Sequence, residues 1–227
     1  MHIILVRILY LVFMATQFYA LAFHFKSPPS GLVYPYSIHL LALFSHVAGT
    51  LSAVPLLFAT SSPTPSSTTT TLAITIASTF LLSSILLFTW MVMTTRPGTF
   101  AVIYGRVTPQ HVIDTGPFNY IRHPTYVAYA LGWVGAVVYV LGAWLPDYLL
   151  HGHDFSGAWI SMPVRSVGLV GAVLVLLWLY RIGAVLEEGQ FWGVEGTLSG
   201  EKTAEGVKGE YLAYMRRVRW RWIPGFV

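Results

Sequence analysis

Two short stretches hold the residues whose types and spacing suit chemistry. The first is Gln110-His-Val-Ile-Asp-Thr-Gly-Pro-Phe-Asn-Tyr-Ile-Arg-His-Pro-Thr-Tyr126, which places an arginine and a histidine directly before a proline. Gly116-Pro117 forces a turn, and Pro124 suits the first position of a helix, where a missing N–H costs nothing. Arg122 and His123 are therefore expected at a helix N-terminus. Free backbone N–H groups and the positive dipole end make such a place suited to a carboxylate or another acceptor group. The second stretch opens with Arg181 and carries the adjacent pair Glu187-Glu188. A carboxylate pair can hold a cationic or amino group.

Those stretches must be positioned by apolar elements, because 55% of the 227 residues are apolar and 10% are charged. That composition fits an all-α integral membrane protein and not a soluble domain. Five segments approach the ~20 apolar residues of a spanning helix, at roughly 3–25, 32–59, 72–94, 125–146 and 164–186. The expected organisation is one membrane domain over 1–227, with three N-terminal spans (1–94) and a catalytic half (95–227). Alternating the spans puts Lys26, Arg96, Arg106, Arg122, Arg181, Lys202, Lys208, Arg216, Arg217, Arg219 and Arg221 on one side. Only Arg7 and Arg165 of the 13 basic residues fall on the other. By the positive-inside rule the 96–126 loop and the C-terminal tail then form a cytosolic face. Arg7 ahead of an apolar run and the triplet Ala20-Leu-Ala22 also fit a cleavable signal peptide. Cleavage would put the basic loop and tail outside, so the span is retained.

Other features point to packing or solvent. Zero cysteines exclude disulfides, thiolate metal sites and cysteine nucleophiles. Ser61–Thr71 is a Pro, Ser and Thr run that reads as an exposed loop, and 147–163 as a short connector closed by Pro163. Gly132, Gly135, Gly168, Gly171 and Ala172 give the fourth and fifth spans small faces that allow close approach. His39 with His46, and His151-Gly-His-Asp154, read as packed or solvated histidines, so no metal site is expected. The tail Arg216-Arg-Val-Arg-Trp-Arg-Trp222 alternates cations and aromatics. On a membrane protein that pattern is expected to lie on anionic headgroups and not on nucleic acid. Arg7 lies close enough to an end to snorkel.

The ordered set Gly116-Pro-Phe-Asn-Tyr-Ile-Arg-His-Pro-Thr-Tyr126, Glu187-Glu188, Glu210-Tyr-Leu-Ala-Tyr214 and Ile223-Pro-Gly225 resembles the isoprenylcysteine carboxyl methyltransferase family over roughly the C-terminal half. The first three spans match only in being spans. The resemblance implies an integral membrane enzyme of the endoplasmic reticulum. Such enzymes use S-adenosyl-L-methionine to methylate the carboxylate of a C-terminal S-prenylcysteine at the cytosolic face. It places cofactor contacts on Gln110, His111, Val112, Ile113, Phe118, His123, Pro124, Thr125, Tyr126 and Glu187. Their chemistry agrees: His123 and Tyr126 offer hydrogen bonds, Phe118 a surface for an adenine or a sulfonium, and Glu187 a partner for an amino group.

The chain departs from the family pattern in two places. Gln110 stands where the family has histidine, with His111 one position later. Gly183 stands where the family has a substrate-binding arginine, four residues before the first glutamate. Arg181 is the nearest arginine. Six residues separate it from Glu187, which swings the two about 120° apart on a helix, whereas Arg181 and Glu188, seven apart, share a face. Arg181 and Glu188 are thus the expected catalytic pair, with Arg216 or Arg217 as other holders of the substrate carboxylate. The 189–208 segment, with five glycines, is expected to be a helix-free flap. The expected partners are the lipid bilayer and a prenylated protein C-terminus or a lipophilic small molecule. Alternatives are methylation of another lipid or terpenoid acceptor, an NADPH-using sterol-reductase-like protein, or a non-catalytic membrane protein of the same fold.

Overall fold

The computed structural model describes residues 2–20, 36–58, 68–95, 112–145, 149, 162–191 and 201–222. Among these residues the regular structure is entirely helical. The helices are α1 (His2–Tyr19), α2 (Tyr36–Phe58), α3 (Thr68–Thr94), α4 (Pro124–Tyr139), α5 (Met162–Gln190) and α6 (Glu201–Arg217), with a 3-10 turn at Gly116–Asn119 before α4. At Val140–Trp144, α4 loosens into a π-helical turn. Three helical stretches, Thr68–Thr94, Pro124–Trp144 and Pro163–Gly189, are long and apolar enough to cross a membrane. At about 1.5 Å per residue, 27 residues exceed the ~30 Å of a hydrocarbon core. The first two expected spans are apolar helices as well, with shorter qualifying stretches at Ile3–Tyr19 and Leu40–Ala53. Large apolar side chains such as Phe44, Leu86, Val167 and Leu174 stand exposed on these helices. In lipid such a surface needs no cover, because the helical backbone already satisfies its own hydrogen bonds.

Two boundaries differ from expectation. The Ser61–Thr71 loop ends early, because Thr68–Thr71 are the first turn of α3. Threonine hydroxyls can bond back to the carbonyl one turn earlier, as Thr75 does to Thr71 at 2.9 Å and Thr79 to Thr75 at 2.9 Å, so the helix continues through a Thr-rich run. The 189–208 flap is helical from Glu201 onward. Four of its five glycines lie at or before Gly200, and the remainder, Glu-Lys-Thr-Ala-Glu-Gly-Val-Lys, is mostly compatible with helix. Gln110, His111, Arg96, Arg106, the 147–148 and 150–161 connector residues and Ile223-Pro-Gly225 lie outside the described residues.

The chain forms two compact units. One is drawn from residues 1–16, 40–85 and 129–178, the other from 17–39, 86–128 and 179–227. The first unit is packed around Trp133 of α4, which is fully buried. Phe13 of α1 meets its ring edge-on at 5.7 Å, and His46 of α2 lies 6.1 Å away. Gly132 makes room for Phe13, since a Cβ there would collide with the phenyl ring, and Gly49 makes room for the Trp133 indole. Gly135 faces the backbone carbonyl of Ala77 on α3, where a Cβ would sit 3.1 Å from it. These small residues do permit close approach, but to α1, α2 and α3. Gly171 faces open space. Arg7 lies over the Trp144 ring at 5.9 Å, so an indole is among its neighbours.

Candidate active site

The candidate site is built within the second unit, from the 112–128 stretch, the last part of α5, α6 and a C-terminal strap at 218–222. Its foundation is the Gly-Pro turn. Gly116 has φ +57, a conformation that favours glycine, and a Cβ there would strike the Thr94 side chain. The turn closes with the N–H groups of Tyr120 and Ile121 donating to the Pro117 carbonyl at 3.1 Å each, and α4 starts at Pro124 as its sequence requires.

A C-terminal strap binds the two residues that precede α4. The N–H of Arg122 donates to the Trp220 carbonyl at 3.0 Å and that of His123 to the Arg221 carbonyl at 3.2 Å. The strap therefore takes the amides of Arg122 and His123 just ahead of the helix. Arg122 also reaches the Arg219 carbonyl at 3.3 Å, and the Tyr214 hydroxyl donates to the Phe118 carbonyl at 2.8 Å. Tyr211, Tyr214 and Val218 form a small apolar cluster with Val112, Phe191 and Met215 packed against it. Phe191 and Tyr211 stack at 4.1 Å. Burial raises the Tyr214 phenol above its ordinary range, so it stays protonated and keeps donating.

Successive residues on a helix diverge by about 100°, so neighbouring glutamates meet different surroundings. Glu188 is buried, its side chain 7% exposed. Its Oε1 accepts from His123 Nε2 at 3.1 Å and Arg221 Nε at 3.0 Å and lies 3.0 Å from Arg122, while Oε2 accepts from Arg221 at 2.8 Å. Glu187 is 42% exposed at its side chain. It accepts a hydrogen bond from the Tyr126 hydroxyl and lies 3.5 Å from His123 Nδ1. Burial alone would lower the His123 pKa, but hydrogen bonds from the ring to Glu187 and Glu188, together with their charge, outweigh it and raise the value.

Aromatic rings enclose this group. His123 and Tyr126 stack at 5.9 Å, Tyr126 stacks on Tyr180 of α5 at 5.4 Å, and Trp222 packs on His123 at 5.9 Å and on Tyr126 at 6.1 Å.

Of the expected site residues, His123, Tyr126, Glu187 and Glu188 converge. Pro124 is buried and Thr125 half-buried in the same first turn, with Ile113 half-buried upstream. Phe118 is buried at the turn, and Val112 packs against the tyrosine cluster. Arg181 is exposed on α5, and the cations on Glu188 are Arg122, Arg221 and His123. Of the other expected carboxylate holders, Arg217 pairs with Asp114 at 2.5 Å and Arg216 is exposed. The residues missed from sequence are Tyr180, Trp220, Arg221 and Trp222. Their signal was the alternation of the 216–222 tail. The tail is divided and does not lie wholly on headgroups: Arg216 and Arg219 are exposed, whereas Trp220, Arg221 and Trp222 are half-buried and fastened to the site.

Residues 72–151 match the model of the isoprenylcysteine carboxyl methyltransferase family. The match spans about a third of the chain and includes the Arg122-to-Tyr126 string. It also reaches back through most of α3, so it includes the third span. Glu187, Glu188 and the strap lie beyond it. No curated protein and no solved structure matches the chain.

Proposed function

We propose that this chain is an S-adenosyl-L-methionine-dependent methyltransferase of the membrane, acting on a lipophilic acceptor, with the carboxylate of a C-terminal S-prenylcysteine as the leading substrate. The observation that carries the reading is the division of labour in the glutamate pair. Glu188 is committed to three protein cations, which leaves the half-exposed Glu187, flanked by Tyr126 and His123, as the carboxylate able to receive a ligand. An open carboxylate bordered by aromatic rings fits the amino and sulfonium groups of the cofactor. The family match over the Arg-His-Pro-Thr-Tyr string supports it.

In this reading Glu187 and Tyr126 bind the amino-acid end, with His123, Pro124 and Thr125 at the wall of the site and Val112, Ile113 and Phe118 completing it; Gln110 and His111, outside the described residues, are proposed contacts from the resemblance alone. When bound, the cofactor supplies an electrophilic methyl group on a sulfonium, which leaves as a neutral thioether. An ionised carboxylate is already a nucleophile, so the chain's part is alignment and exclusion of water. Arg181, exposed on α5, orients the acceptor carboxylate from the cytosolic face. Glu188 acts as a positioning residue that holds His123, Arg122 and Arg221 in place. An endoplasmic reticulum location belongs to the same proposal.

The test is calorimetric titration of the detergent-solubilised chain with S-adenosylhomocysteine, repeated on Glu187→Ala, together with methyl transfer to a prenylcysteine analogue. Saturable binding that is lost in a folded Glu187→Ala variant is the expected outcome. A folded wild-type chain that binds nothing overturns the assignment, and binding without transfer to the analogue redirects it to another acceptor.

A further inference from the structure

His123 is held by both glutamates at once. Its Nε2 lies 3.1 Å from Glu188 Oε1 and its Nδ1 3.5 Å from Glu187 Oε2. A neutral imidazole carries one N–H and can donate to only one of them; the imidazolium donates to both.

The surrounding charges come from several elements. From α5 come Glu187 and Glu188. The strap brings the Arg221 guanidinium, bound to Glu188, and the Trp222 ring. The segment of His123 itself brings Arg122, also on Glu188, and Tyr126, whose hydroxyl donates to Glu187. From α6, the Tyr211 phenol feels Glu188, Arg122 and Arg221, and burial keeps it protonated. Two guanidiniums balance two carboxylates, so the proton on His123 leaves this group with one positive charge. Glu188 has three cationic partners, whereas among the described residues Glu187 has His123 alone.

We propose that the amino group of the bound ligand takes Glu187 in exchange for the His123 Nδ1 proton. The ligand's ammonium becomes the charged partner of Glu187. The imidazole, now neutral, keeps its Nε2–H bond to Glu188, and the Nδ1 proton leaves to solvent. At Glu187 itself one cationic partner replaces another, whereas retaining both would set two cations side by side on one carboxylate. The strap and its Glu188 anchors need not move. The site is thus selective for ligands that bring an ammonium group, and its affinity rises with pH while His123 is protonated.

This inference rests on the cofactor reading above, and one experiment separates the two. The full chain in detergent is titrated near neutral pH with S-adenosylhomocysteine in phosphate and in Tris, whose ionisation heats differ widely. The expected result is saturable binding whose heat differs between the buffers by the ionisation heat of up to one proton per ligand, in proportion to the share of His123 that is protonated at that pH. Apparent affinity should rise by up to about tenfold per pH unit until His123 is neutral in the unliganded chain, then level off. In His123→Gln, whatever the affinity, the binding heat no longer depends on the buffer. Equal heats in both buffers with saturable binding overturn the exchange and leave the cofactor reading standing. Undiminished proton release in the glutamine variant also overturns it, because the donor is then another group. No binding to a folded wild-type chain overturns the cofactor reading and this inference with it.

Discussion

The two compact units hold themselves together by different means. Around Trp133 the contacts are shape: Gly132 is small because Phe13 fills its place, and Gly49 because the indole does. Around Glu188 the contacts are charge, with one buried carboxylate receiving two guanidiniums and an imidazole from chain segments far apart in sequence. Lipid explains the first. A unit surrounded by hydrocarbon gains little by merely burying apolar surface, so its helices depend on close fit. The second unit joins a loop, a helix end and a C-terminal strap, none of which is fixed by a long apolar face, and a shared ion anchors all three.

The largest effect should follow from removing that ion. Glu188→Ala leaves Arg122 and His123 without their buried partner and detaches Arg221, a loss of about 3 kcal/mol, the lower end of the range for breaking a buried pair because Arg221 can turn to water. Thermal unfolding in detergent should show it, with destabilisation that varies with pH. Next comes Gly132→Val, which sets branched atoms where Phe13 sits and should cost about 1–3 kcal/mol by overpacking. Its cost should be the same at low and high salt and across pH. If the valine variant responds to pH and the alanine variant does not, the contrast between the units is wrong.

A smaller effect concerns His123 in the unliganded chain. Its pKa is raised in the folded state by Glu187 and Glu188. The stabilisation is therefore complete below the unfolded value of about 6.5 and is lost as pH rises through the folded value. Melting temperature should fall across that window in the wild type, and His123→Gln should flatten the fall. A wild-type profile that rises through the same window would contradict the assigned contacts.

Much of this was legible in sequence because the informative signals were local. A run of about 20 apolar residues reads as a helix whatever packs beside it, and Gly116-Pro117 and Pro124 specify their own backbone. His123, Tyr126 and the glutamate pair were legible as types. Their roles were not, since which of two adjacent carboxylates points inward depends on the rotation of α5, and periodicity put Glu188 on the same face as Arg181 when three other cations hold it. The strap was misread for a related reason. Alternating arginine and tryptophan suits a headgroup surface equally well, and only the bonds from Arg122 and His123 to the Trp220 and Arg221 carbonyls distinguish the two. No local signal announces those bonds, because the segment that accepts them is about 100 residues away.

The smallest effect sharpens the contrast from the other side. Arg217 and Asp114 form a pair at 2.5 Å, yet both side chains are about half exposed. Short separation does not make such a pair strong: water screens it, and ordering two mobile side chains offsets most of the attraction, leaving about 0–1 kcal/mol. Arg217→Ala should barely change the melting temperature at moderate salt, and the small difference should vanish at high salt as screening removes it. A loss comparable with that of Glu188→Ala would mean that Asp114 is a second anchor of the C-terminal segment, and that charge holds this unit at its surface as well as at its buried centre.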